Sequence, residues 1–155
     1  MPARPRFSAD EMLGSLARWL RIMGYDTTYE KGRGDNEILA SSRSEGRVLL
    51  TRDEELAQRG APSSLYVRSD DLDEQLRQVA SAFGLAADEA MARCTVCNGE
   101  LDLLPREEAE GRVPLGALES NEEFFRCDSC GKVYWKGSHW DNIRRRLEGL
   151  GDQMR

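Results

Sequence analysis

Strand and helix patterns alternate along residues 5–84 of the chain. Short apolar or β-branched stretches predict strands at 5–9, 26–30, 47–51 and 64–68. Amphipathic stretches predict helices at 10–23, 36–45, 53–59 and 71–84. Such alternation favours right-handed crossovers, and hence an α/β fold with a parallel sheet flanked by helices on both faces.

The first helix pattern carries one apolar stripe, formed by Met12, Leu13, Leu16, Ala17, Leu20 and Met23. Arg18 and Arg21 fall on its polar side, where solvation is a better explanation than a phosphate contact. Beyond residue 85 the alternation stops. A short helical link is expected at 86–93 and a basic helix at 139–149, so we divide the chain into domains 1–90 and 91–155.

Composition limits the classes of partner. The chain has 155 residues and a net charge of −6, but residues 100–123 alone hold eight acidic and two basic residues. The remainder is balanced, so global acidity does not exclude a nucleic-acid partner. No apolar run approaches the roughly 20 residues of a membrane span, and no signal-peptide pattern is present, so we expect a cytoplasmic protein.

Acidic residues follow the ends of the predicted strands. Asp10 and Asp53 both stand in the pattern Ser/Thr-x-Asp-Glu, after the first and third strands, and Asp35 follows a glycine-rich turn at the start of the second helix. Ligands bind outside the carboxyl ends of parallel strands, so these carboxylates are expected at one edge of the sheet. Three converging carboxylates suit Mg²⁺ or Mn²⁺, which prefer oxygen ligands.

A purely structural explanation competes with the metal site. Aspartate is common near helix N-termini, and the flanking pairs Ser8/Glu11 and Thr51/Glu54 each resemble a capping box. In that interpretation Asp10 and Asp53 both lie two residues past a cap. For any single aspartate the structural role is the more common one; the three together favour a site.

Four cysteines form two pairs, Cys94-x-x-Cys97 and Cys127-x-x-Cys130. In a reducing compartment this spacing predicts one tetrahedral zinc with four thiolate ligands, and such a closed site is structural rather than catalytic. A redox role for either pair is less favoured, because neither lies in a thioredoxin-like βαβ context.

The segment after the second pair mixes cations and aromatics: Lys132, Tyr134, Trp135, Lys136, His139 and Trp140, followed by Arg144, Arg145 and Arg146. Aromatic faces stack on unpaired bases and cations contact phosphates, so these residues, together with Arg52, are candidate RNA contacts. The alternative is that Tyr134, Trp135 and Trp140 pack this segment against the first domain, and for Trp135 and Trp140 packing is favoured. His139 is the only histidine, and a structural or RNA-contacting role is preferred to a catalytic one.

Long stretches of the chain resemble one known family. Residues 7–56 read FSADEMLGSLARWLRIMGYDTTYEKGRGDNEILASSRSEGRVLLTRDEEL, and RCTVCNGEL at 93–101 and FFRCDSCGKVYWKGSHWDNI at 124–143 also match. These motifs are similar to the Mut seven C-terminal RNase domain, a PIN-like family. The resemblance implies a PIN-like nuclease fold with a zinc ribbon and metal-binding acids at Asp10, Asp35 and Asp53. It also implies a fourth acid at Asp70 or Asp71, and the sequence does not decide between these two.

The leading hypothesis is therefore a metal-dependent ribonuclease in which the ribbon and tail position RNA. Two alternatives stay open. One is a PIN-like protein that binds RNA or ribosomal particles without cutting them. The other is the toxin of a toxin–antitoxin pair, since PIN domains often serve in that role.

Overall fold

The protein is described here by a computed structural model, which covers residues 4–86, 92–136, 144–146 and 148–149. The chain forms two compact units, Met1–Asn98 and Gly99–Arg155. Most of the link predicted at 86–93 lies outside the described residues, and the domain division at residue 90 stays a prediction. Within the described ranges, no helix has the length and apolar character needed to cross a membrane.

A four-stranded parallel sheet organises the first unit. Its strands are β1 Phe7–Asp10, β2 Thr27–Glu30, β3 Val48–Thr51 and β4 Ser64–Tyr66, in the order β2-β1-β3-β4. All four residues of β1 are buried, because β1 lies between β2 and β3. The sequence FSAD is thus a central strand despite its two polar residues, and both polar side chains have hydrogen-bond partners. The α/β prediction with a parallel sheet is confirmed.

Helices cover both faces of this sheet. They are α1 Gly14–Ile22, α2 Asp35–Ser44, α3 Glu54–Gly60 and α4 Leu72–Phe83. Phe7 of β1 packs edge-to-face on Phe83 of α4, with ring centroids 5.5 Å apart. Leu49 of β3 packs with apolar side chains of α2 and α3. Phe7 pairs in register with Val48, the neighbour of Leu49, so Phe7 and Leu49 point to opposite faces.

The start of the first helix differs from its sequence prediction. A 3₁₀ turn, Glu11–Leu13, precedes α1, and Met12 lies in this tighter turn with 69% of its surface exposed. Met12 therefore does not belong to the apolar stripe. Arg21, expected to be solvated, is buried, and its guanidinium donates to the carbonyls of Thr27 and Thr95 at 2.9 and 2.8 Å. The helical spacing of residues within α1 cannot show that carbonyl groups of other segments accept hydrogen bonds from Arg21.

The second unit contains a three-stranded antiparallel sheet. Its strands are β5 Leu101–Leu104, β6 Phe124–Cys127 and β7 Val133–Trp135, in the order β5-β6-β7. The connection between β5 and β6 contains two short helices, α5 Arg106–Ala109 and α6 Leu115–Ser120. Leu104, Ala109 and Phe124 form a small buried core. Residues 144–146 and 148–149 are helical, in agreement with the basic helix predicted there.

Candidate functional site

The strand order places a crevice between the carboxyl ends of β1 and β3. The connection from β1 leads to β2 on one side, whereas β3 and β4 lie on the other side, so the direction of winding reverses at the β1–β3 pair. Open parallel sheets bind ligands at such a reversal, outside the carboxyl ends of the strands. The residues that end β1 and follow β3 are Asp10 and, two positions after Thr51, Asp53.

Asp10 is 7% exposed and accepts three hydrogen bonds. Its Oδ1 accepts from the backbone N–H of Met12 at 3.0 Å, and its Oδ2 accepts from the backbone N–H of Arg52 at 3.2 Å and from the hydroxyl of Thr51. Three donors satisfy the hydrogen-bonding capacity that a buried carboxylate would otherwise lack. Asp10 thereby fixes the end of β1 to the end of β3.

Thr51 connects the two strand-end aspartates. Its hydroxyl donates to Asp10 and accepts from the backbone N–H of Asp53 at 3.0 Å. Asp53 is the N-cap of α3, since its Oδ1 accepts from the backbone N–H of Leu56 at 3.1 Å. Asp53 itself is exposed.

The capping boxes expected from the sequence are wrong by two positions. Asp10 and Asp53 are themselves the N-caps, and do not follow one. Ser8 lies inside β1 and donates to the carboxylate of Glu30 at 3.3 Å, while the hydroxyl of Thr51 is used between strands. Asp10 and Asp53 therefore occupy equivalent positions, although the capping boxes from which this equivalence was predicted do not form.

Asp35 is the first residue of α2 and is half exposed. Its carboxylate lies 3.9 Å from the guanidinium of Arg59. Among the described residues, the carboxylate oxygens of Asp10, Asp35 and Asp53 do not all lie within 4.8 Å of one another. The shared metal site proposed for these three residues stays a prediction.

Two further aspartates follow β4. Asp71 is the N-cap of α4 and accepts from the backbone N–H of Glu74 at 3.1 Å. Asp70 is exposed and lines an open cavity with Arg52, Arg68, Ser69, Glu74 and Gln78. Asp71 thus repeats the capping role of Asp53 on the neighbouring strand, which makes it the closer analogue of the two.

Glu30 is an acid at the same edge that the sequence analysis missed. It ends β2, pairs in register with Asp10 and is 6% exposed. Its carboxylate accepts from the hydroxyls of Ser8 and Thr28 at 3.3 and 3.0 Å, and forms a 2.7 Å ion pair with Arg33. That hydrogen bond is the main cause that raises the pKa of Arg33. Its position as last residue of a predicted strand was the available signal.

The four cysteines form a group suited to metal binding. The sulfur atoms of Cys94, Cys97, Cys127 and Cys130 all lie within 4.8 Å of one another. A tetrahedral zinc with Zn–S bonds of about 2.3 Å holds its sulfurs about 3.8 Å apart, so small movements complete the geometry. The backbone N–H groups of Ser129 and Cys130 point at the sulfur of Cys127, at 3.4 and 3.5 Å, as expected around a thiolate. The residues fit zinc.

Asn98 anchors the first cysteine pair. It has a left-handed backbone with φ of 70°, and its N–H donates to the carbonyl of Cys94 at 2.9 Å. Its side-chain amide donates to Asp26 at 2.6 Å and accepts from the backbone N–H of Thr27 at 3.0 Å. The knuckle is therefore fixed to the start of β2 by the residue that directly follows Cys97.

Asp26 also attracts three arginines, lying 2.7 Å from Arg47, 3.6 Å from Arg6 and 3.9 Å from Arg93. Burial raises the pKa of this carboxyl, but the hydrogen bonds from Arg47 and Asn98 outweigh it and leave the pKa below its ordinary value of 3.8. Asp26 is thus charged at neutral pH and lies at the opposite end of the strands from Asp10.

Comparison with known families identifies the chain. A family model described as the Mut7-C RNAse domain matches residues 5–147. The chain belongs to the Mut7-C RNAse domain family. The match includes the strand-end aspartates and all four cysteines, and the family's description points to an RNase-type function. Comparison with curated proteins and with solved structures found no match.

The cationic and aromatic residues of this Mut7-C chain occupy different environments. Trp135 is half-buried against the core of the second unit, which leaves untested the predicted packing against the first domain. The ammonium of Lys132 lies 5.1 Å from the ring centroid of Tyr134. Three other cationic side chains are exposed: Lys136, Arg144 and Arg145. His139 and Trp140 lie outside the described residues, so their predicted roles stay predictions.

Proposed function

We propose that this Mut7-C domain is a metal-dependent ribonuclease that hydrolyses RNA phosphodiester bonds at the carboxyl edge of its parallel sheet. The observation that carries the proposal is the family match over residues 5–147. Asp10, Asp35 and Asp53 are the proposed ligands of Mg²⁺ or Mn²⁺, and Asp71 is the proposed fourth acid. A divalent ion at such a site would polarise the phosphoryl oxygen and offset the charge that develops on it.

The contacts of the acids support this assignment. Asp10 is held rigidly by three donors, and rigid positioning is what a ligand of an active-site ion requires. Asp53 uses Oδ1 for its cap, and within the described residues its Oδ2 has no protein donor. The N-terminus of α3 therefore holds Oδ1 of Asp53 in place, and Oδ2 is available to a ligand.

Asp35 contributes only if its 3.9 Å contact with Arg59 yields. That contact is between two exposed groups and is worth about 0–1 kcal/mol, so a divalent ion can displace it. Like charges at the edge repel one another in the absence of the ion. We propose that Asp35, once released from Arg59, would be the third ligand beside Asp10 and Asp53.

The zinc ribbon predicted in residues 91–155 is proposed to hold a structural zinc through the four cysteines and to contribute to RNA binding. Lys132, Trp135, Lys136, His139, Arg144 and Arg145 are the proposed contacts there, with Arg52 beside the acids. We place the protein in the cytoplasm, where thiols stay reduced and available to zinc. The family match gives no support to a ribosomal or toxin–antitoxin partner, so RNA is the partner proposed.

The test is cleavage of a mixed set of labelled RNAs by purified zinc-loaded protein with and without Mn²⁺. We expect Mn²⁺-dependent cleavage that Asp53→Asn lowers by at least about 100-fold, as for loss of a group that acts in the transition state. The matched control is Asp102→Asn, an exposed aspartate of β5, which should cleave like the wild type. Equal cleavage by Asp53→Asn and wild type would refute the assignment.

A non-cleaving RNA-binding protein is the second proposal. It is favoured by one observation: within the described residues, the three acids do not form a group of metal ligands, whereas the cysteines do. The same experiment separates the two proposals. RNA binding that persists in Asp53→Asn, with no cleavage by the wild type under any divalent ion, would favour this alternative.

A further inference from the structure

Several arginines of the first unit are paired with carboxylates. Glu30 and Glu37 pair with Arg33, Asp35 pairs with Arg59, and Asp26 attracts a group of three, Arg6, Arg47 and Arg93. Within the described residues, Arg52 and Arg68 form no ion pair. Arg52 and Arg68 are therefore two arginines of this unit that no carboxylate of the described residues contacts in an ion pair.

The two unpaired arginines line the same open cavity. It has a volume of about 650 Å³ and is also lined by Ser69, Asp70, Glu74 and Gln78. Arg52 is half-buried and its guanidinium extends toward the carbonyls of Val67 and Arg68, at 3.4 Å from each. These contacts are long, so the guanidinium keeps most of its hydrogen-bonding capacity for a ligand.

The wall that carries Arg68 is rigid. Gln78 of α4 donates to the carbonyl of Tyr66 at 2.7 Å and accepts from the backbone N–H of Arg68 at 3.0 Å. Gln75, which is buried, donates to the carbonyl of Ser69 at 2.9 Å. The loop between β4 and α4 is thus held by side chains of α4, and Arg68 projects from a fixed backbone.

The cavity adjoins the proposed acidic site through the backbone. The N–H of Arg52 donates to the carboxylate of Asp10, and Asp53 is the next residue. Neighbouring Cα atoms are about 3.8 Å apart. The Cα atom of Arg52, which lines the cavity, is therefore about this far from the Cα atom of Asp53 in the proposed acidic site. A ligand on the guanidinium of Arg52 is placed beside whatever occupies the acidic edge.

We propose that Arg52 and Arg68 form a binding site for an RNA phosphodiester that flanks the one to be cleaved. Guanidinium groups bind phosphate oxygens in a planar, two-bond geometry that suits this anion. Two carboxylates share the cavity. Glu74 accepts a hydrogen bond from the hydroxyl of Ser69, and Asp70 is exposed. Both carboxylates oppose a bound anion, so replacing Asp70, which has no hydrogen bond to another cavity residue in the described part of the chain, should tighten binding. The inference rests on the proposed ribonuclease function and names how the substrate is held.

The experiment measures binding of a fluorescein-labelled, mixed-sequence, single-stranded RNA by anisotropy across a salt series. The zinc-loaded protein is used without added Mg²⁺ or Mn²⁺. Each phosphate contact on single-stranded nucleic acid contributes about 0.7 to the slope of log affinity against log salt. We expect Arg52→Gln and Arg68→Gln each to reduce the slope by about 0.7, and Asp70→Asn to raise the affinity.

Arg18→Gln is the matched control, because Arg18 is an exposed arginine of α1 and does not line the cavity. Its slope should equal that of the wild type. Slopes unchanged in both cavity variants, or no RNA binding by the wild type, would overturn the inference. Cleavage that still depends on Asp53 alongside unchanged slopes would overturn this inference alone and leave the ribonuclease proposal standing. Since Arg68 is exposed, Arg68→Gln keeps the test valid should Arg52→Gln fold poorly.

Discussion

Substitution of Asn98 by glycine should weaken zinc binding although Asn98 has no bond to the metal. Glycine adopts the φ of 70° without strain and keeps the backbone bond to Cys94, so the turn can still form. The variant loses only the side-chain amide. With it go the 2.6 Å bond to Asp26 and the 3.0 Å bond from Thr27.

The size of the effect follows from these two bonds. The bond to the Asp26 carboxylate is of a kind that contributes about 1.5–3 kcal/mol, and the neutral bond to the backbone about 1 kcal/mol. Part of this sum is lost from folding stability and part from the preorganisation of Cys94 and Cys97. Loss of groups that orient metal ligands typically lowers metal affinity about 10–100-fold, or about 1.4–2.8 kcal/mol. This loss is comparable to, or smaller than, the combined contribution of the two hydrogen bonds.

The assay is competition for zinc between the protein and a chromophoric chelator, together with thermal unfolding of the zinc-free protein. We expect Asn98→Gly to lower the zinc affinity while it shifts the zinc-free transition only slightly. Asn98→Asp should bind zinc more weakly still, because it sets a second carboxylate against Asp26. The double variant Asn98→Asp with Asp26→Asn should recover part of the zinc affinity, because position 26 then carries the amide and position 98 carries the carboxylate.

An unchanged zinc affinity in Asn98→Gly would refute the reasoning. So would a loss of affinity fully explained by unfolding of the zinc-free protein. Asp26→Asn alone should not recover zinc affinity, because it loses the ion pair with Arg47. Recovery in the double variant would therefore show that the contact between the side chains at positions 26 and 98 supports zinc binding.

Three further predictions follow. Gly99→Ala should lower zinc affinity by about 10-fold or more, because its Cβ would lie 2.6 Å from the sulfur of Cys127. Thr51→Val should cost about 1–3 kcal/mol in urea unfolding and reduce cleavage, because Asp10 loses a donor inside the protein. Asp26→Asn should be less stable than wild type at neutral pH, and the difference should shrink in acid. The lowered pKa of Asp26 stabilises the fold above its ordinary value of 3.8, and this contribution is lost as pH falls through the folded-state pKa.

Each of these has a control. Gly116→Ala places its Cβ in open space and should leave zinc affinity unchanged. Thr51→Ser keeps the hydroxyl and should retain most of the stability. For Asp26→Asn, unfolding of the zinc-free protein is compared at neutral pH and near pH 3, which removes zinc loss from the comparison. A stability difference that grows in acid would contradict the prediction.

Much of the first unit could be predicted because its elements follow local rules. The helices α2 and α4 and the strands β2 and β3 lie within a residue or two of their predicted bounds, since period and glycine stops determine them. Asp10 and Asp53 were found by their position at strand ends. The caps were misplaced because the hydroxyl of Thr51 bonds to a residue 41 positions earlier, and no local pattern shows that.

The missed residues have the same kind of cause. Glu30 ends the predicted strand 26–30 and could have been found by that position, but its hydrogen bond from Ser8, 22 residues away, could not. Asn98 depends on a left-handed turn and on a partner 72 residues away. Arg21 is buried through carbonyls of two other segments. Long-range polar contacts thus account for what the pattern analysis could not supply.

The hydroxyl of Thr51 has a consequence for variation among family members. It donates to Asp10 and accepts from the N–H of Asp53, and Thr51 itself is fully buried. Only a small hydroxyl side chain can perform both tasks, so serine is the one conservative replacement. In an alignment of Mut7-C domains, this position should hold threonine or serine wherever the first aspartate is kept. Apolar residues should appear there only in members that have lost that aspartate.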